Sequence, residues 1–157
     1  MNNSIKKFEE IIPKLLDYSI SPYELIEIVT KDEKVAGRVM KKLLVSHPSP
    51  YFRLCAAWCL GELLDPEGVL LLKAAYRREK EANVRANIVW ALLMIAPDRI
   101  TFSLYKRFLQ DDYFLIRLIV LKKIVGLRSL VLQIDFIDFY LANKNILVRL
   151  EALRTIR

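Results

Sequence analysis

The sequence predicts an all-α fold: a right-handed α-solenoid of helical hairpins, about ten helices in one domain spanning residues 1–157. Three observations predict it. An arginine returns at a fixed interval, apolar columns at helical spacing return with it, and capping residues and prolines punctuate the chain between them.

Arg53, Arg85, Arg117 and Arg149 stand 32 residues apart, and each follows a bulky apolar residue: Phe52, Val84, Ile116 and Val148. Three residues after each arginine come Ala56, Ile88, Val120 and Ala152. Four after come Ala57, Val89, Leu121 and Leu153; seven after come Leu60, Leu92, Ile124 and Ile156. Offsets of 0, 3, 4 and 7 form one face of an α-helix, called helix B here. A second periodic segment lies between the B helices. Met40, Leu72, Leu104 and Phe136 recur at the same interval, and so, four residues on, do Leu44, Tyr76, Phe108 and Tyr140. Each unit is therefore a helix A, a tight turn and a helix B.

Taken in order, the chain begins with two helices, about Ser4 to Tyr18 and Pro22 to Val29, with Pro13 kinking or restarting the first. They depart from the columns, as a cap that meets water on one face does, so residues 1–30 are read as capping helices. Residues 31–157 are read as four hairpins starting near Asp32, Pro66, Asp98 and Val131. Ser21 to Glu24 and Thr30 to Glu33 fit capping boxes. Ser49-Pro50 and Asp65-Pro66 put a capping residue before a proline suited to a first helical turn. Asp111-Asp112 and the Asn143/Asn145 pair are placed to cap the later B helices, and Gly61 and Gly126 fall inside or near B-helix ends. The last helix keeps Leu150, Leu153 and Ile156 on apolar columns without a cap. A partner or a second copy covers this end, giving a homo-oligomer in the latter case, or the chain is a fragment.

Composition sets the bounds. A hydrophobic content of 54% with 27% charged residues fits a folded helical protein, not a disordered one. The longest clean apolar run, Ile88 to Ala96, is about half of a bilayer span, so no membrane partner is expected. No apolar signal core precedes Glu9 and Glu10, and the expected location is cytoplasmic. Cys55 and Cys59 stand one helical turn apart and are read as small apolar fillers; no cofactor and no metal is expected. The only histidine, His47, sits in a Ser-His-Pro-Ser-Pro turn. The net charge of +7, from 25 Lys and Arg against 18 Asp and Glu, is spread along the chain and allows nucleic acid, anionic lipid or an acidic protein.

The stretch YFRLCAAWCLGELLDPEGVLLLKAAYRREKEANVRANIVWALLMI resembles HEAT repeats, and among them the short HEAT-like repeat of phycobilisome lyases, with its signature of apolar-Arg-x-x-Ala-Ala-x-x-Leu-Gly. Arg53, Ala56, Ala57, Leu60 and Gly61 match best. Arg85 and Arg117 keep the arginine but lose the alanines and the glycine. The resemblance covers about Lys31 to the C-terminus and implies architecture more than activity. It implies that the arginine packs between units and bonds carbonyls or an acidic turn residue of the neighbouring unit. The position six before each arginine holds His47, Glu79, Asp111 and Asn143, so an incomplete ladder is expected.

A function is expected on the face of helix B turned away from helix A. Five residues after each arginine stand Trp58, Trp90, Lys122 and Arg154, with Asn87, Met94 and Lys123 beside them. In a right-handed stack of hairpins these residues line the concave surface. Two readings stand for the tryptophans: packing between adjacent B helices, or an aromatic patch continued by Lys122, Lys123 and Arg154 that anchors a protein with apolar and acidic contact residues. Nucleic acid is the alternative partner, since basic grooves with aromatics track phosphates and stack bases. Glu62 is the acidic residue near both tryptophans on that face. Many cations, however, such as Lys41, Lys42, Arg77 and Arg78, fall on A helices. Catalysis is not expected: the sequence has no Gly-rich phosphate loop, no His-rich metal motif and no nucleophile elbow.

Overall fold

A computed structural model describes residues 33–124 and 141–155, together with Glu24 and Glu27. These residues are helices joined by short turns, with no strand among them. In chain order the helices are α1 (Glu33–Ser46), α2 (Pro50–Glu62), α3 (Val69–Arg78), α4 (Ala82–Ile95), α5 (Phe102–Leu109), α6 (Phe114–Ile124) and α7 (Ile146–Thr155). Short 3₁₀ turns, Pro66–Gly68 and Pro97–Arg99, lead into α3 and α5. Helices A and B of the first three expected hairpins are thus α1 and α2, α3 and α4, and α5 and α6. Glu24 and Glu27 are helical and exposed; the rest of the expected N-terminal helices, and the fourth helix A from Val131, lie outside the described residues.

The chain divides into two compact units, Met1–Ala96 and Pro97–Arg157. In the first, α1 buries Ala36, Val39, Met40, Leu43 and Leu44, an i, i+3, i+4, i+7, i+8 stripe that fixes one helix face on the core. The α2 helix is buried on several sides, through Phe52, Cys55, Ala56, Ala57, Cys59, Leu60 and Gly61, because α1 lies against one side and α4 against another. Small residues in the two middle columns, Ala56 and Ala57, let those neighbours approach. The α3 helix adds Val69, Leu72 and Tyr76, and α4 adds Val84, Ile88, Val89 and Leu92. In the second unit the same columns bury Leu104 and Phe108 on α5, Ile116, Val120 and Leu121 on α6, and Val148 on α7. Each large side chain buried in this way contributes about 1.5–3 kcal/mol. The column four after the arginine breaks at the last repeat. Ala57, Val89 and Leu121 are at most 1% exposed, whereas Leu153 is 52% exposed.

Turn chemistry follows the punctuation in part. Asp65 caps the 3₁₀ turn by accepting from the Glu67 N–H at 2.9 Å, and Thr101 accepts from the Leu104 N–H at 3.4 Å to start α5. Ser49 is the N-cap of α2 with Pro50 behind it, but its side chain makes no capping bond. Lys41 on α1 ties the first hairpin to the next turn through Asp65 (3.1 Å) and Glu67 (2.8 Å). Gly37, one helical turn before Lys41, leaves room for that carboxylate, since a Cβ there would stand 3.1 Å from Asp65 Oδ2.

The α2 helix ends in a Schellman motif without glycine. The Asp65 N–H bonds to the Leu60 carbonyl at 3.3 Å and the Leu64 N–H to that of Gly61 at 3.2 Å. This requires Leu64 to adopt φ 49°, the left-handed region that is costly for a residue with a Cβ. Its side chain is 54% exposed and offsets little of that cost by packing. Leu64→Gly is therefore expected to raise stability by about 0.5–1 kcal/mol, the relief of strain exceeding the added chain entropy. Urea denaturation of the two proteins checks it.

Candidate functional site

The recurring arginines act on the turn that precedes their own helix. Arg53 Nη1 donates to the carbonyls of His47 (2.9 Å) and Pro48 (2.8 Å). Arg117 Nη1 donates to those of Asp111 and Asp112, and Arg149 Nη1 to those of Asn143 (2.6 Å) and Lys144 (3.0 Å). Arg85 Nη1 donates to the Lys80 carbonyl at 2.7 Å. The carbonyls thus belong to the arginine's own hairpin, while the acidic turn residue of the neighbouring unit that the resemblance implied is met at Arg53 by Glu79. Their acceptors are carbonyls of the turn between the two helices, where no intrahelical partner is on offer.

The position six before each arginine does a second job in every repeat. His47 Nδ1 accepts from the Ser49 N–H at 3.1 Å, and Glu79 Oε1 from the Glu81 N–H at 3.0 Å. Asp111 Oδ1 accepts from the Tyr113 N–H and Asn143 Oδ1 from the Asn145 N–H, each at 3.0 Å. An imidazole, two carboxylates and an amide all close the same turn by bonding the N–H two residues on. The column therefore keeps one geometric role through three chemistries. His47 is consequently 2% exposed, its ring centroid 4.3 Å from that of Phe52.

One member also links hairpins. Arg53 Nε and Nη2 fork onto the Glu79 carboxylate at 2.7 and 3.0 Å, joining the start of α2 to the turn between α3 and α4. Burial alone would raise the Glu79 carboxyl, but bonds from Arg53 and from the Glu81 and Lys80 N–H groups hold it below the ordinary carboxylate value. Where Asn143 replaces the acid, in the second unit, Arg117 Nε is buried without a hydrogen-bond partner.

The helix-B face of the first unit carries Trp58, 39% exposed, and Met94, 42% exposed. Trp90 is half-buried, and its position depends on Gly61: a Cβ at Gly61 would fall on Trp90 Cζ3 and 3.1 Å from the Ala91 Cα. Gly61 stands one helical turn after Trp58, so the Trp90 ring crosses from α4 to the α2 turn that bears Trp58. Trp90 therefore packs between the two B helices, while Trp58 faces outward. Asn87 is half-buried and donates to the Asn83 carbonyl at 3.0 Å, and Glu62 is exposed. In the second unit Lys122 is exposed and Lys123 half-exposed on the last turn of α6; Arg154 lies within α7.

The family model for HEAT repeats matches residues 37–122, more than half of the chain. The chain belongs to the HEAT-repeat family. The match runs from within α1, across Arg53, Arg85 and Arg117, to Lys122 on α6. No curated protein and no solved structure matches the chain.

Within the first HEAT repeat Cys55 and Cys59 are free and buried. Burial raises both thiols, that of Cys59 to about 12 with the Cys55 and Glu62 charges adding to it. Such thiols stay protonated at neutral pH and are poor nucleophiles. No three His, Cys, Asp or Glu side chains converge among the described residues, and no described helix is long and apolar enough to cross a membrane. Sequence reasoning passed over three features: the shared role of the turn column, the Gly61–Trp90 contact and a cavity on the A-helix side. Each left a mark in the sequence: the column six before the arginine, a glycine at Gly61 able to admit a close neighbour, and a pair of alanines at Ala74 and Ala75.

The depressed Glu79 carboxyl gives a pH dependence of known sign. Its stabilisation is complete above the unfolded value of about 4.3 and is lost as pH falls through the lower folded value. In urea denaturation Glu79→Gln is expected to lie below the parent by about 1–3 kcal/mol at pH 7, a charge-assisted bond having been removed. That gap is expected to narrow below about pH 4.

Proposed function

We propose that this HEAT-repeat protein is a non-catalytic scaffold or adaptor that binds another protein on the outward face of its B helices. The observation that carries the reading is the exposure of two large apolar side chains, Trp58 and Met94, on α2 and α4. Large aromatic side chains are frequent anchors of protein interfaces. Trp90, held against Gly61, supplies a rigid border to that surface. HEAT repeats commonly mediate protein–protein interaction, and the buried, protonated thiols offer no nucleophile.

The fuller architecture we propose is a single right-handed solenoid of short HEAT-like units of the phycobilisome-lyase type. It would span 1–157 with about ten helices, residues 1–30 serving as N-terminal cap. Its B helices would line a concave face, and Lys122, Lys123 and Arg154 would supply cations for acidic residues of the partner. Leu150 and Leu153 on α7, 46% and 52% exposed, support a contact of that helix with a partner or a second copy. The proposed location is the cytoplasm.

Trp58→Ala combined with Met94→Ala is expected to lower stability by about 1–3 kcal/mol, since each side chain is still more than half covered, to leave the helical fold intact, and to abolish capture of the native partner. Trp90→Ala is expected to cost about 3 kcal/mol, because it opens the α2–α4 contact. Pull-down from source-cell lysate with mass spectrometry, beside thermal melts, measures both. Retained capture by the double variant would contradict the reading. Salt-steep binding to single-stranded DNA that is lost in that variant would reassign the face to nucleic acid.

A further inference from the structure

The first unit holds a cavity of about 380 Å³ on its A-helix side, away from the tryptophan-bearing face. It opens between the last turn of α1 and the second half of α3, where the two A helices touch far less than α2 and α4 do. Leu71, Ala74, Ala75 and Arg78 line it from α3, at the spacing of one helix face. The two alanines create the space. In the columns 32 residues away stand Lys42 and Leu43 in the first hairpin and Lys106 and Arg107 in the third. Only the second of these hairpins shortens both side chains to a methyl group, and Val45 on α1, across the cavity, is 59% exposed.

The lining is apolar inside and charged at its edge. Leu44, Val45, Leu71 and the alanines form the apolar part, and Arg53 and Glu79 are already matched to each other. Arg78 and Lys80 are exposed at the edge and take part in no ion pair among the described residues; Arg77 stands exposed beside them. Glu81 is the opposing charge.

We propose that this cavity is a docking site for an apolar side chain of a partner protein, presented in an acidic segment whose carboxylates meet Arg78, Lys80 and Arg77. Charge complementarity fixes the sign of the partner, and the volume admits one leucine- or phenylalanine-sized group. The apolar lining residues Leu44, Val45 and Leu71 favour an apolar side chain over a phosphate or a sugar, and hence a peptide over nucleic acid. The site is separate from the helix-B face, so each stands or falls alone.

The probe is a synthetic peptide, acetyl-Glu-Glu-Leu-Glu-Glu-amide, titrated into the ¹⁵N-labelled full chain and followed by amide chemical shifts. Saturable shifts are expected at the end of α1, the second half of α3 and Glu79 to Glu81. Ala75→Leu, which fills the cavity, is expected to weaken binding at least tenfold. The surface variant Arg78→Glu with Lys80→Glu does the same without touching the core and serves if Ala75→Leu fails to fold. A peptide with serine in place of leucine is expected to bind at least tenfold more weakly. Absence of saturable shifts, shifts centred on Trp58, or equal binding by the serine peptide would overturn the proposal. Tighter binding of oligo(dT) to the same amides would also overturn it, in favour of nucleic acid.

Discussion

The hairpins depend on one constraint: where a helix A ends and a helix B begins, backbone groups without intrahelical partners must be satisfied in a turn of a few residues. An arginine reaching back from the first turn of helix B meets the carbonyl side of that requirement, and the residue six before it meets the N–H side. The aliphatic stem of the arginine is carried beside the preceding column residue, Phe52, Val84, Ile116 or Val148, each at most 4% exposed. The turn, the core column and the angle of helix B are thus set together. With the angle set, the columns at 3, 4 and 7 reach the neighbouring helices, and the repeat becomes a packed layer.

Much of this was legible because it rests on period and spacing. The 32-residue arginine column, the apolar positions of α1 to α6 and the start of α3 after Asp65-Pro66 appear as the sequence predicts. What escaped was chemistry that different residues share. His47, Glu79, Asp111 and Asn143 look unrelated as letters, yet each offers one acceptor at the same distance along the chain. Leu64 escaped because a left-handed C-cap without glycine or asparagine carries no compositional signal. The candidate site was legible in its residue types and less so in orientation. Trp58 and Trp90 share a column, but Gly61 admits one ring between the helices and leaves the other outside.

Several reactive groups of the described residues serve architecture. The chain's histidine closes a turn, its thiols are buried and protonated, and the Glu79 carboxylate is held by an arginine and two N–H groups. What the described residues leave toward solvent is apolar side chains on B helices and cations beside a cavity on the A side, the two surfaces on which binding is proposed. A repeat built this way separates its two tasks, since the turn columns hold the hairpins while the outward columns vary.

The Arg53–Glu79 link is where the turn chemistry of one hairpin becomes the joint to the next. A double-mutant cycle with Arg53→Ala and Glu79→Ala, read by urea denaturation at pH 7, measures that link most directly. A coupling of about 1–3 kcal/mol between the two positions is predicted for residues in one hydrogen-bonded charge network. Additive effects within about 0.3 kcal/mol would contradict it, because the arginine would then serve its own turn alone and the hairpins would be joined by apolar packing only.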